Sequence, residues 1–261
     1  MQEIDYLVQN KEDRMFDNLD FMLEHRSIRS WKKDPIPEEL MSKLFDVANR
    51  TSTSNSMQNS SIIRVKDPNK REQLAQIAGQ EYLKHCPELL VFLVDNYRNV
   101  SIMEEKGCKE IYANDSDRFF QGWTDACLMA QSISTAAELN DLGIVYFGAI
   151  LNDARKVIEI LNLPKNTFPV VGLGIGYPNQ NPQKKPRIDV EHKVFVDEYE
   201  KRDSYLETLK EYDKVMQTYY DLRKANKPVD AFTDQVVEKN NKLIANRSEI
   251  FDVIREQGFR I

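Results

Sequence analysis

Short apolar runs and apolar stripes at helical spacing alternate along the chain, and this alternation predicts strands interleaved with helices. Leu40, Met41, Leu44, Phe45, Val47 and Ala48 form a stripe. Before it, Pro35 and Pro37 suit a helix start, and Glu38 and Glu39 suit a first turn. Residues 62–65 predict a strand, and residues 68–78 a helix ending near Gly79. Residues 89–94 are continuously apolar and closed by Asp95, the pattern of a strand buried on both faces. Residues 116–141 predict the longest helix. Phe119, Phe120, Trp123, Ala126, Cys127, Ala130, Ile133, Ala137 and Leu139 overfill a single stripe, so this helix packs on more than one side, with Gly143 as its stop. A strand over 144–147 and a helix over 152–161, capped by Asn152 or Asp153, follow.

From Phe168 to Pro178, Gly172, Gly174 and Gly176 alternate with apolar residues, which leaves one face of a strand as bare backbone. Such a face admits close approach of a helix or of a ligand. Tyr177-Pro178 ends the element, so this is not a dinucleotide-binding glycine fingerprint. Two amphipathic helices close the chain. One carries Tyr205, Leu209, Tyr212, Met216 and Tyr219; the other runs from Phe232 to Ile254 and ends at Gly258. Their stripes need cover, from their own domain or from a dimer partner. Residues 1–15 read as a polar leader, and Phe16, Leu19, Phe21, Met22 and Leu23 as a short helix leading to His25.

Composition narrows the function. A net charge of -6, with basic residues clustered locally, argues against nucleic acid and for a small anionic ligand. No apolar run approaches the ~20 residues of a membrane span, and the polar N-terminus is no signal peptide. Cys86, Cys108 and Cys127 are widely spaced without a C-x-x-C, which suits neither a disulfide framework nor a zinc site and predicts a reduced, cytoplasmic protein.

The densest chemistry lies in His25-Arg26-Ser27-Ile28-Arg29. Arg26 and Arg29, three apart, fall on one side of a helical turn and can reach one anion, for which the guanidinium fork is suited. The alternative is a solvated basic turn at a helix end. Residues 51–61 are almost entirely side chains that donate and accept hydrogen bonds, either a surface linker or a loop that grips a ligand. Lys184, Lys185 and Arg187 form a second basic cluster, in a polar, proline-rich loop.

Taken in order, His25-Arg-Ser-Ile-Arg29, the Ser/Thr loop with Gln58, Ala78-Gly-Gln80, Tyr146-Phe-Gly-Ala149, Gly172-Leu-Gly-Ile-Gly-Tyr-Pro178 and Lys185-Pro-Arg187 resemble the nitroreductase family, most closely its oxygen-insensitive NADPH nitroreductases and flavin reductases. The resemblance implies an α+β nitroreductase-like fold, a central mostly antiparallel sheet flanked by helices, in an intertwined homodimer with FMN at the interface. It implies a leader over 1–15, an FMN-binding core over 16–188 and a helical excursion over 189–261 that packs on the core or the partner. His25, Arg26 and Ser27 would hold the FMN phosphate with Lys185 and Arg187. Arg29 would reach the pyrimidine side of the ring, where a fixed positive charge favours hydride acceptance. Gln80 would bond the flavin or its ribityl chain. Thr53, Ser54, Asn55 and Gln58 would come from the partner subunit, although Asn55 and Ser56 depart from the serine and large apolar residue of similar sequences. Tyr146, Phe147, Gly148 and Ala149 would present their backbone near flavin N5.

The implied activity is ping-pong transfer of hydride from NADPH or NADH through FMN to nitro compounds, quinones or free flavin, with no catalytic side chain. A dedicated flavin reductase, or a flavin-binding protein with little turnover, is the alternative. Similar sequences carry paired arginines between the last helices, suited to the extra phosphate of NADPH. Here that region reads Asn226-Lys227-Pro228-Val229-Asp230, with Arg223 and Lys224 nearby, which implies NADH use or mixed use.

Overall fold

The structure, a computed structural model, describes residues 19–221 and 227–261. The expected leader, Phe16, Arg223, Lys224 and Asn226 lie outside the described residues. At the centre is a four-stranded antiparallel sheet of β1 (Ser60–Arg64), β2 (Glu88–Asp95), β3 (Gly143–Phe147) and β4 (Thr167–Gly176), in the order β1-β2-β4-β3. The apolar run predicted to be buried on both faces is β2, held between β1 and β4. The β2–β4 register slips between Phe92 and Leu93, where Leu93 meets Pro169. Proline has no N–H for the ladder, so a bulge is the natural accommodation.

The helices that position the site are α1 (Glu38–Asn49), α2 (Pro68–Ala78), α3 (Tyr97–Glu105), α4 (Ser116–Glu138) and α5 (Ala154–Leu161). Asp67, Asp115 and Asp153 cap α2, α4 and α5, each accepting from backbone N–H groups of the first turn. Gly79 ends α2 in the left-handed conformation, at φ 60°. α4 buries Phe119, Ala126, Ala130, Ile133 and Ala137 but leaves Phe120, Leu128 and Leu139 exposed.

Gly143 is not the stop of α4. The helix ends at Leu139, Asp141 turns the chain at φ 60°, and Leu142 is buried with its N–H on Ala137 O at 3.1 Å. Gly143 instead opens β3. A Cβ there would lie 2.5 Å from Ile28 Cγ1, so the strand and the His25 stretch touch where no side chain fits.

The last apolar stripe is not one helix. It divides into α7 (Phe232–Asn240), a turn at Ala245–Ser248 and α8 (Ile250–Glu256), with α6 (Lys210–Gln217) before them. The division follows the architecture: one compact unit comprises Met1–Asn181 with Ile244–Ile261, the other Pro182–Leu243. α8 buries Val253 and Ile254 in the core of the first. The second has its own small core of Met216, Tyr219 and Val229 with Tyr212 and Phe232, and Asp213 on α6 accepts from Thr233 N at 3.0 Å at the start of α7.

The Gly143 contact yields a stability prediction. Gly143→Ala should destabilise the chain by about 1–3 kcal/mol through overpacking against Ile28. In an Ile28→Ala background about 1 kcal/mol or more of that loss should disappear. Urea unfolding of the four proteins measures the coupling; additive losses would show that the two sites are independent.

Candidate functional site

Residues 25–30 are not helical, which corrects the expectation that Arg26 and Arg29 share one side of a helical turn. The stretch lies along β3 instead. Ile28 N donates to Ile144 O at 2.8 Å, and Trp31 pairs with Pro178 while its Nε1 donates to Gly143 O at 3.0 Å. The buried Ile28 and Trp31 hold the stretch by packing, and the polar residues between them stay half-buried. His25 Nδ1 sits 2.7 Å from Glu138 Oε1, at the end of α4. Arg26 reaches Glu24, through its carbonyl at 3.2 Å and its carboxylate at 3.0 Å. Arg29 Nη1 makes a long 3.5 Å bond to Ser27 O. The Nε atoms of Arg26 and Arg29 are buried without a hydrogen-bond partner.

The turn after β3 packs beside Gln80. Phe147 is fully buried, and its ring lies 5.7 Å from that of Tyr82, two residues after Gln80. Asn152 Nδ2 donates to Ile77 O at 3.4 Å and ties the turn to α2. Gln80 Oε1 is also buried without a partner. Gly148 is exposed, and a Cβ there would meet nothing within 4 Å, so its backbone borders open space. Tyr146 turns its phenol to α4, 2.7 Å from Ser134 Oγ, and burial raises the pKa of that hydroxyl.

One residue at this turn has no local sequence signal. Arg247 Nη1 donates to Gly148 O at 3.2 Å and to Asn152 Oδ1 at 3.3 Å. It arrives from a helical turn near the C-terminus, and only the tertiary fold brings that cation to the glycine.

The Ser/Thr loop occupies a different place in the chain. Asp125 Oδ1 accepts from Ser54 N at 2.8 Å and from Ser54 Oγ at 3.0 Å. Asp125 and Glu138 stand about 20 Å apart along α4, at roughly 1.5 Å of rise per residue. Thr53, Ser54, Asn55 and Gln58 are thus held far along the helix from His25. Lys185 and Arg187 belong to the second unit, where Arg187 Nη1 bonds Lys185 O at 2.9 Å and Pro186 O takes the Tyr212 hydroxyl at 3.2 Å.

Two hollows border His25. A groove of about 470 Å³ runs past His25, Arg26, Lys32, Glu138 and Tyr177. A smaller one of about 120 Å³ is lined by His25, Gln131, Ser134, Glu138 and Tyr146. No group of three or more metal-ligating side chains occurs among the described residues. Cys86, under Gly174, is no nucleophile, because burial pushes its thiol up to about 12.

The Nitroreductase family description matches residues 22–177, more than half of the chain, and its C-terminal domain matches residues 185–261. The chain belongs to the nitroreductase family. An NADPH-dependent oxidoreductase of Staphylococcus saprophyticus is 36% identical over 239 residues, 90% of this chain and 94% of the relative. An FMN reductase (NADPH) of Bacillus subtilis is 35% identical over 249 residues, 94% of this chain and 99% of the relative. The solved NADPH:FMN oxidoreductase from Vibrio harveyi complexed with NAD+ is 32% identical at a TM-score of 0.82, covering 93% of this chain and 98% of that one. The nitroreductase-like fold, a mostly antiparallel sheet flanked by helices, is therefore common to this chain and its solved relatives.

The residues present fit the flavin of this nitroreductase family. Arg26 and Arg29, on the stretch that lies along β3, have buried, unpartnered Nε atoms, and Gln80, beside the turn that ends β3, has a buried, unpartnered Oε1. Buried polar atoms are rarely left unpaired, and a ligand with phosphate, hydroxyl and amide groups satisfies both kinds.

The burial of Cys86 gives a test of the layer beneath the site. Alkylation of the native protein at about pH 8 should label the exposed Cys108 and spare Cys86. Peptide mass spectrometry reads both positions; rapid native labelling of Cys86 would contradict the packing under Gly174.

Proposed function

We propose that the protein is an FMN-dependent NAD(P)H oxidoreductase acting on flat, electron-poor acceptors such as nitro compounds, quinones or free flavin. The observation that carries this is the set of unpartnered buried polar atoms on Arg26 and Arg29, along β3, and on Gln80, beside the turn that ends it, in a chain whose relatives are named for FMN and NADPH. Bound FMN supplies the redox chemistry, taking hydride from a nicotinamide and delivering electrons to the acceptor in a ping-pong cycle.

The chain's own residues bind and orient. His25, Arg26 and Ser27 hold the phosphate. Glu138 fixes the His25 ring through Nδ1, so Nε2 is the nitrogen left for the ligand. Arg29 places a fixed positive charge at the ring, and Gln80 supplies the amide that fixes its position. Tyr146, Phe147, Gly148 and Ala149 shape the turn beside it. No side chain has to form a covalent bond with the substrate, and the described site carries no nucleophile.

The active form is a homodimer. Its support is the separation along α4: Thr53, Ser54, Asn55 and Gln58 are pinned about 20 Å from the His25 end, too far to share one flavin within a chain but free to serve the partner's. The exposed Phe120 and Leu128 on α4 supply apolar surface for the association. The protein works in the cytoplasm, with its thiols reduced. Without the paired arginines of similar sequences, discrimination between NADPH and NADH is weak.

Two measurements follow. Arg29→Ala should weaken FMN binding by about 10- to 100-fold, the loss of a charge-assisted hydrogen bond, and slow reduction by nicotinamide. Unchanged affinity and rate would remove Arg29 from the site. In steady state with the wild type, kcat/KM for NADPH should exceed that for NADH by less than about tenfold; a far larger ratio would show that another part of the chain reads the extra phosphate.

A further inference from the structure

The Ser/Thr loop is strained, and the strain includes two of the residues assigned to the flavin, Asn55 and Gln58. Asn55, Ser56 and Gln58 all adopt left-handed backbone, at φ of 50°, 58° and 53°. Only glycine takes that region freely; asparagine tolerates it, while serine and glutamine do so at a cost. A cluster of this kind persists only where surrounding groups over-determine it.

Those groups come from three elements. From α3, Arg98 Nη2 donates to Gln58 O at 3.1 Å and Asn99 Nδ2 to Met57 O at 3.2 Å. From the end of β2, Asp95 N donates to Asn59 O at 2.9 Å. From α4, Asp125 takes both donors of Ser54, while Gly122, one turn earlier, brings the helix so near that a Cβ would lie 2.7 Å from Asn59 O. α3 and β2 hold the far end of the loop, and Asp125 alone grips Ser54 among the described side chains.

Asp125 is also an unusual residue for its place. Only 1% of it is exposed, and it is the one charged residue among the buried residues of α4. Its Oδ2 has no hydrogen-bond partner at all. A role in packing would be met better by an apolar side chain, since a buried carboxyl oxygen left unpaired opposes folding. What the carboxyl achieves that an apolar group cannot is the double acceptance from Ser54.

We infer that Asp125 is a positioning residue for the flavin site: it fixes Ser54, and through Ser54 the left-handed residues Asn55, Ser56 and Gln58, so that the loop is preset to receive the flavin. This rests on the FMN assignment above. Asp125 touches neither cofactor nor substrate in this account; it acts through the loop. Without it the loop relaxes toward right-handed conformations and is competent for binding only part of the time, which lowers apparent affinity by that fraction.

The test is FMN titration of apoproteins, read beside their thermal unfolding. The wild type comes first: if it takes up no FMN, the proposed function fails and this inference with it. Given wild-type binding, Asp125→Ala is expected to raise the FMN dissociation constant about tenfold. Asp125→Asn keeps one acceptor oxygen for both Ser54 donors and is expected to stay within about threefold of wild type. Amide exchange over residues 51–59 should quicken in Asp125→Ala while that of β2 does not. Wild-type affinity or unchanged loop exchange in Asp125→Ala, or an Asp125→Asn as weak as Asp125→Ala, overturns the inference and leaves the proposed function standing. If Asp125→Ala does not fold, Asp125→Val replaces it. That variant fills the space but accepts from neither Ser54 donor, and it should weaken FMN about tenfold; an unchanged constant overturns the inference.

Discussion

The bare face of β4 constrains both halves of the site. Gly172 and Gly174 lie against the Phe147 ring, with Cys86 beside Gly174. At Gly176 a Cβ would stand 2.5 Å from Pro87 Cγ and 2.8 Å from Trp31 Cδ1. Phe147 is the last residue of β3 and aims the Gly148 turn; Trp31 follows Arg29 and anchors the basic stretch. A side chain on this face would therefore displace the turn and the cradle together. The cost would come from overpacking a core at crystal-like density, where neighbours can move only a few tenths of an ångström.

α4 is the second organising element. Along its length Asp125 fixes the polar loop, Ser134 meets the Tyr146 phenol, and Glu138 fixes the His25 ring. A single rigid helix thus sets the positions of groups from three distant parts of the sequence. This suits a chemistry in which the protein contributes position and charge. It also explains how a chain with a net charge of -6 can hold an anionic cofactor: the field that matters is local, from arginines partly withdrawn from solvent.

Much of this was legible in the sequence, for identifiable reasons. The apolar run of β2, the Asp153 cap and the helix end at Gly79 are local signals, and local signals survive folding. The failures share a non-local cause. Arg26 and Arg29 have helical spacing, but Ile28 pairs with Ile144, which no window of sequence contains. The glycine face of β4 was open to a helix or a ligand; it receives Phe147, Pro87 and Trp31 instead. The last apolar stripe reads as one helix because its spacing is continuous, yet the chain returns to the first unit at Ile244 and breaks there. In the site, the basic stretch, Gln80 and the β3 turn were carried by family motifs. Arg247 and Asp125 were not, because each lies in an unremarkable helical stripe and gains its role only from what the fold sets against it.

Central to this account is a redox-active flavin held by the unpaired donors of Arg26 and Arg29 and the unpaired acceptor of Gln80. Visible absorption of the purified, FMN-supplied protein, before and after anaerobic addition of NADPH and separately of NADH, tests it most directly. The account predicts flavin bands that co-purify with the protein and fade with either nicotinamide at comparable rates. A protein that retains no flavin when FMN is supplied, or one whose bound flavin bands persist with both nicotinamides, would contradict it.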